Sequence, residues 1–177
     1  DGTETAAALA GYDDGTDIAV LRFSDPAPEG ANPVPLGDSD ALTIGELAII
    51  IGNPGTMDEV FFGSVTAGII SGLEREGVNA DNFSHSITTI QTDAPINGGN
   101  SGGALFDSFG NVIGLIYAKS SSVSIEGIGY AIPVNDIKEL VSGIINDPES
   151  VKAQTKGSQI MLGITIQNIT KEMSKQY

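Results

Sequence analysis

The sequence predicts an all-β fold with one helix towards its C-terminal end. Three observations carry that expectation. Glycine supplies 23 of the 177 residues, Val/Ile-rich runs of strand length recur from Leu36 to Ile132, and turn residues separate those runs. At 40% hydrophobic the chain can bury a real core, as one large or two small domains. The pattern fits a β-barrel or a β-sandwich.

Each element has its own signal. Residues 3–11 and 17–23 read as two strands joined by the turn Asp13-Asp14-Gly15. Ser24 to Pro35, with Pro26, Pro28, Pro33 and Pro35, reads as an extended connection between lobes. Ala104-Leu105-Phe106 and Val112 to Tyr117 flank Asp107-Ser108-Phe109-Gly110-Asn111, a β-hairpin around a Gly-Asn turn. Pro133 ends the last strand. Asn135 or Asp136 then caps a helix whose Ile137, Leu140, Val141, Ile144 and Ile145 form one apolar stripe. A polar linker follows Asn146.

Chemistry concentrates at Asn97-Gly98-Gly99-Asn100-Ser101-Gly102-Gly103. A serine hydroxyl becomes a nucleophile when a base takes its proton and donors receive the charge formed on the substrate oxygen. Glycines let backbone N–H groups approach that oxygen with no Cβ in the way. The loop therefore points to acyl transfer.

Gly99-Asn100-Ser101-Gly102-Gly103 also fits the Gly-x-Ser-x-Gly elbow of α/β-hydrolases. That elbow feeds a helix, whereas a hairpin follows here, and no histidine follows Ser101. The order His, Asp, Ser places both partners upstream instead. The one histidine, His85, lies between the candidate acid and the serine and fits neither order. It reads as a solvated loop residue.

Six motifs occur in order: Asp17-Ile18-Ala19-Val20-Leu21, Ala48 to Pro54, Ser64 to Ser71, Ile90 to Asn97, Gly99 to Gly103 and Gly129-Tyr130-Ala131-Ile132-Pro133. Together, from about residue 9 to 145, they resemble the HtrA family of trypsin-like serine proteases. The resemblance implies two β-barrels with the catalytic groups between them. Residues 1–36 would be the remnant of the first barrel and the connection, 37–132 the complete second barrel and 133–146 the C-terminal helix. Residues 147–159 would be a linker and 160–177 the start of a truncated PDZ-like domain. The expected fold is thus a trypsin-like double barrel, its first barrel partial.

The resemblance also assigns roles. Ser101 matches the nucleophile, Asp17 the acid that orients the catalytic histidine, and the N–H groups of Gly99, Asn100 and Ser101 the oxyanion hole. Pro95, Ile96, Leu115, Ile116 and Tyr117 would line the primary pocket, which carries no acid apart from Asp93 further back, so a small aliphatic residue is the expected preference. Gly98 departs from the proline of many members. The family's histidine would precede Asp17, and none does, so these 177 residues are expected to be nearly inert alone. Asn53 to Glu59 and Leu73 to Asn82 resemble loops that order the catalytic site.

The implied substrates are unfolded or misfolded polypeptides, in a quality-control role in the cell envelope or outside the cytoplasm. A second copy or a separate N-terminal piece is expected to pair with residues 3–23, whose strand edges would otherwise be bare. A non-catalytic peptide-binding or chaperone module is the alternative reading. With 8 basic and 23 acidic residues, net charge −15, the surface repels nucleic acid and anionic lipid. No cysteine is present, so disulfide and thiolate chemistry are excluded. No cofactor and no metal are expected.

Overall fold

The computed structural model describes residues 5–13, 15–23, 31–54, 61–78, 87–117 and 126–146. Two strands, β1 (Ala7–Asp13) and β2 (Ile18–Phe23), form an antiparallel ribbon. Six more close into a barrel: β3 (Leu47–Gly52), β4 (Ser64–Val78), β5 (Ile87–Thr92), β6 (Ala104–Phe106), β7 (Val112–Tyr117) and β8 (Gly129–Pro133). Their order around the barrel is β3-β4-β5-β8-β7-β6, every pair antiparallel. The helix α1 (Val134–Asn146) follows directly. The all-β class, the closed second barrel and the terminal helix are as expected.

Alternation builds the barrel core. On β3, Ala48 and Ile50 are buried while Leu47 and Ile51 are exposed, the period-2 signature of a strand with one wet face. The interior gathers Ile70, Ile90, Leu105, Ile113, Ile116 and Ala131 around them. β7 differs because both of its faces are covered. Ile113 and Ile116 enter the barrel, whereas Tyr117 joins Ile132, Ile137 and Ile18 in a second cluster beneath α1. Its unbroken apolar run reflects that double burial.

The 107–111 turn is held by Asp107, whose Oδ1 accepts from Phe109 N and Asn111 N, both at 2.8 Å. Burial acts to raise this carboxyl, but hydrogen bonds from Asn111, Phe109 and Gly110 outweigh it and hold the group below its ordinary value. The connection ahead of the barrel docks on β7 through Val112 N to Pro35 O, 2.9 Å, and Gly37 N to Val112 O, 2.8 Å.

Three expectations need correction. The helix begins at Val134 rather than behind a cap at Asn135 or Asp136, because β8 runs into it without a turn. Its amide at Asn135 is capped from afar, donating to Ser39 Oγ at 3.1 Å, while Asn135 Nδ2 donates to Asp38 Oδ1 at 2.8 Å. Ile145 drops out of the apolar stripe and is 64% exposed. Finally, Leu73 to Val78 extend β4 instead of forming a loop; the chain passes through Glu74 in the left-handed region, φ 52°, with irregular register against β5.

Residues 79–82, 55–59 and His85 lie outside the described residues, as does everything after Asn146. Among the described residues, no helix is long and apolar enough to cross a membrane.

Candidate active site

The serine loop is built by close backbone approach. Asn100 N donates to Asn97 O at 3.1 Å and Gly103 N to Asn100 O at 2.9 Å, which winds residues 97–103 into successive turns. Gly99 and Gly102 take φ of 99° and 81°, a conformation that favours glycine. A Cβ on Gly103 would stand 2.8 Å from both Asn100 O and Ile51 O, so the loop lies flat against the end of β3. Gly52 opposite is equally confined: its Cβ would fall 2.5 Å from Asn100 Oδ1. Asn100 is buried, and Oδ1 is an orphaned acceptor among the described residues.

This winding sorts the three expected oxyanion donors. Asn100 N–H is committed to Asn97 O, so it is not free to receive a substrate oxygen. The N–H groups of Gly99 and Ser101 donate to nothing among the described residues. Two backbone donors in one tight loop, beside a half-buried serine, can stabilise an oxyanion.

β7 holds the loop from the other side. Gly102 N donates to Ile116 O at 2.9 Å, and Ile116 N donates to Gly103 O at 2.8 Å. One residue further on, the Tyr117 side chain packs with Ile18. Ile18 directly follows Asp17, which sits in the turn between β1 and β2. Sequence neighbours of Ser101 (Gly102 and Gly103) and of Asp17 (Ile18) thus meet adjacent residues of β7. Asp17 is half-buried, with φ 57°, and burial pushes its carboxyl up to about 6. A buried carboxylate that costs this much to ionise is suited to a cationic partner such as an imidazolium.

The five expected pocket residues are placed as follows. Pro95 is exposed and its carbonyl accepts from Thr66 Oγ1 at 2.9 Å. Ile96 is half-buried, packs on the barrel core and occupies the space a Cβ on Gly129 would need. Of the other three, Ile116 points into the barrel, and Leu115 and Tyr117 face the α1 side. Towards the serine loop β7 presents backbone.

Gly129 and Gly52 were missed in the sequence, where each sits inside a strand-ending motif without marking what approaches it. The strap beneath residues 93–95 was missed too. Asp93 Oδ1 accepts from Ile69 N at 2.7 Å, and the buried Thr92 Oγ1 donates to Ile69 O at 2.8 Å and accepts from Ala94 N at 3.1 Å. Among the described residues no cluster of His, Cys, Asp or Glu is arranged to hold a metal.

The serine loop thus combines a half-buried Ser101, two unused amides and a close seat on β3 set by Gly52 and Gly103. The model of the trypsin-like peptidase domain matches residues 1–115. The chain belongs to the trypsin-like peptidase family.

Within that family its similarity is to HtrA-type members. It is 43% identical over 148 residues to the serine protease Do-like HtrA of Bacillus subtilis, covering 82% of this chain and 32% of that protein. It is 38% identical over 176 residues to the periplasmic serine endoprotease DegP of Escherichia coli, covering 99% of this chain and 34% of DegP. Among solved structures, the HtrA-type protease AlgW with a tripeptide superimposes with a TM-score of 0.69 at 41% identity, over 83% of this chain and 46% of AlgW. AlgW with a decapeptide gives 0.68 at 42% identity, over 82% and 42%. The chain spans about a third of the length of the curated relatives it matches.

Proposed function

We propose that the chain forms the serine-bearing part of an HtrA-type endopeptidase that cleaves polypeptides by acyl transfer. The observation that carries this reading is the pair of unused amides, Gly99 and Ser101, in the glycine-confined loop that holds the Ser101 hydroxyl.

Ser101 attacks the peptide carbonyl, and the oxyanion rests on the two amides. Loss of one such donor typically costs about 10²–10³ in rate. An imidazole takes the serine proton and returns it to the leaving amine, while Asp17 holds that imidazole in the productive tautomer. No described residue supplies the imidazole, and residues 1–16 contain no histidine. On this reading the 177 residues turn over substrate only when a histidine reaches the site from elsewhere; without it the template leaves about 10³–10⁴ over water.

On this reading Ile96, packed beside Gly129, and the exposed Pro95 border the primary pocket, and a small aliphatic side chain is its expected occupant. The name of DegP places that relative in the periplasm, which supports an extracytoplasmic setting for this protein. The AlgW structures with bound peptides support an extended polypeptide as substrate. The exposed Leu9, Leu21 and Phe23 on β1 and β2 suit a covering strand from a second copy or another segment.

The test is a fluorophosphonate probe with intact-mass detection, on the chain and on Ser101→Ala. An adduct on the parent alone supports a live nucleophile. Absent labelling of both leaves Ser101 without a base in these residues; tight binding of an unfolded polypeptide that persists in Ser101→Ala then favours the non-catalytic peptide-binding module.

A further inference from the structure

The acid-bearing ribbon packs on the rest of the fold through apolar side chains, with Ile18 in the cluster of Tyr117, Ile132 and Ile137. Of the other elements, α1 makes the most contact with it. Near the helix's start, Ile137 packs with Ile18, the residue next to Asp17. Near its end, Ile144, fully buried, lies so close to β1 that a Cβ on Gly11 would stand 2.7 Å from Ile144 Cγ2. Gly11 is the residue that lets β1 sit against the helix.

The two ends of α1 are anchored differently. The first turn is fixed to the barrel side by polar bonds. Asn135 N reaches Ser39 Oγ, Asn135 Nδ2 reaches Asp38, and Lys138 Nζ donates to Gly37 O and, at 3.1 Å, to Asn135 Oδ1. The last turn holds the ribbon through Ile144 and Gly11 alone among these contacts. A rigid rod pinned at one end and gripping the ribbon at the other sets where the ribbon's turn lies. Asp17 is in that turn.

We propose that α1 is the positioning element for the acid: Ile137 against Ile18 and Ile144 against Gly11 fix Asp17 relative to the Ser101 loop. This rests on the reading that Asp17 and Ser101 serve one reaction. Its consequence is that a displacement of the last helical turn moves the acid without touching the serine loop, whose ties run to β3 and β7.

The charged groups on the packed elements are Asp13 on β1, Arg22 on β2 and Asp136, Lys138 and Glu139 on α1. The Asp17 shift has burial as its cause. Its carboxyl midpoint therefore reports how the ribbon is seated.

The experiment follows the Asp17 carboxyl by ¹³C NMR titration in the 177-residue chain, with Ser101 labelling by the fluorophosphonate in parallel. The variants are Gly11→Ala, Ile144→Ala, their combination, and the milder Ile144→Val in case Gly11→Ala does not fold. Expected is a midpoint that falls from about 6 towards 3.8 in each single variant, least in Ile144→Val, and returns at least half-way in the combination, where the added methyl fills the vacated space. Where the parent labels, Gly11→Ala slows labelling about tenfold and the combination recovers it. A midpoint unchanged in Gly11→Ala and Ile144→Val, despite a lower Tm, overturns the proposal, because α1 then only adds stability. A parent chain that never labels has no base at Ser101, as the acyl-transfer reading expects of these residues alone, and the midpoint then decides the positioning by itself.

Discussion

The barrel and the ribbon hold their functional residues by different physics. Ser101 is fixed by backbone: two hydrogen bonds to Ile116, two internal turns, and glycines at 52 and 103 where any side chain would strike main chain or a buried asparagine. Asp17 is fixed by side-chain packing at second hand, through Ile18 and the helix. Backbone ties are short-ranged and geometrically strict, whereas apolar packing is non-directional and tolerates small shifts. Ser101 is therefore placed by a closed barrel, and Asp17, on the proposal above, by how well a helix grips a two-stranded ribbon.

The largest test of that contrast is to open a cavity in each region. Ile50→Ala removes a fully buried side chain at the barrel centre and is expected to cost about 2–5 kcal/mol. Chemical denaturation should show the loss as a drop in the global midpoint. Ile137→Ala empties the ribbon's own cluster, 9% exposed at that residue, and should instead release ribbon amides to hydrogen exchange before those of the barrel. Equal loss of protection in both regions would mean they unfold as one unit and would erase the comparison.

Next in size is Gly103→Ala. The new methyl would meet two carbonyl oxygens at 2.8 Å, neither on a flexible side chain. Overpacking of this kind typically costs about 1–3 kcal/mol, and here it lifts the serine loop off β3. We expect a lower Tm and, where the parent labels, loss of Ser101 labelling. A stable protein that labels like the parent would show the loop less confined than its geometry requires.

Much of this contrast was legible in the sequence, and where it was not the reason is physical. The hairpin from Ala104 to Tyr117 announced itself because turn residues and alternation are local. The Ser101 loop was legible because glycines around a nucleophile have few other uses. The helix start was not, since its amide cap comes from Ser39, nearly a hundred residues away. Leu73 to Val78 read as a loop because Glu74-Arg75-Glu76 are charged, and an exposed strand extension needs no apolar face. The placement of Leu115 to Tyr117 escaped for a further reason. Period 2 says that neighbours face opposite ways, but in a strand buried on both sides it does not say which face meets the substrate.

The smallest expected effect is the sharpest probe of the ribbon. With its carboxyl pushed up to about 6 by burial, against an ordinary 3.8, Asp17 binds a proton more tightly folded than unfolded. Between those two values the native state carries more protons, so stability falls as pH rises through the window and stays lower above it. Asp17→Asn keeps the shape and removes the charge. It is expected to raise Tm by a few degrees at pH 7 and to leave it unchanged at pH 3, where both proteins are neutral at this position. The same substitution at a well-solvated aspartate would shift neither. If Asp17→Asn fails to stabilise at pH 7, the carboxylate is already compensated and the ribbon holds its acid more openly than the packing around Ile18 implies. If it does stabilise, the fold carries a standing electrostatic cost at Asp17, one that an imidazolium seated beside Ser101 would relieve.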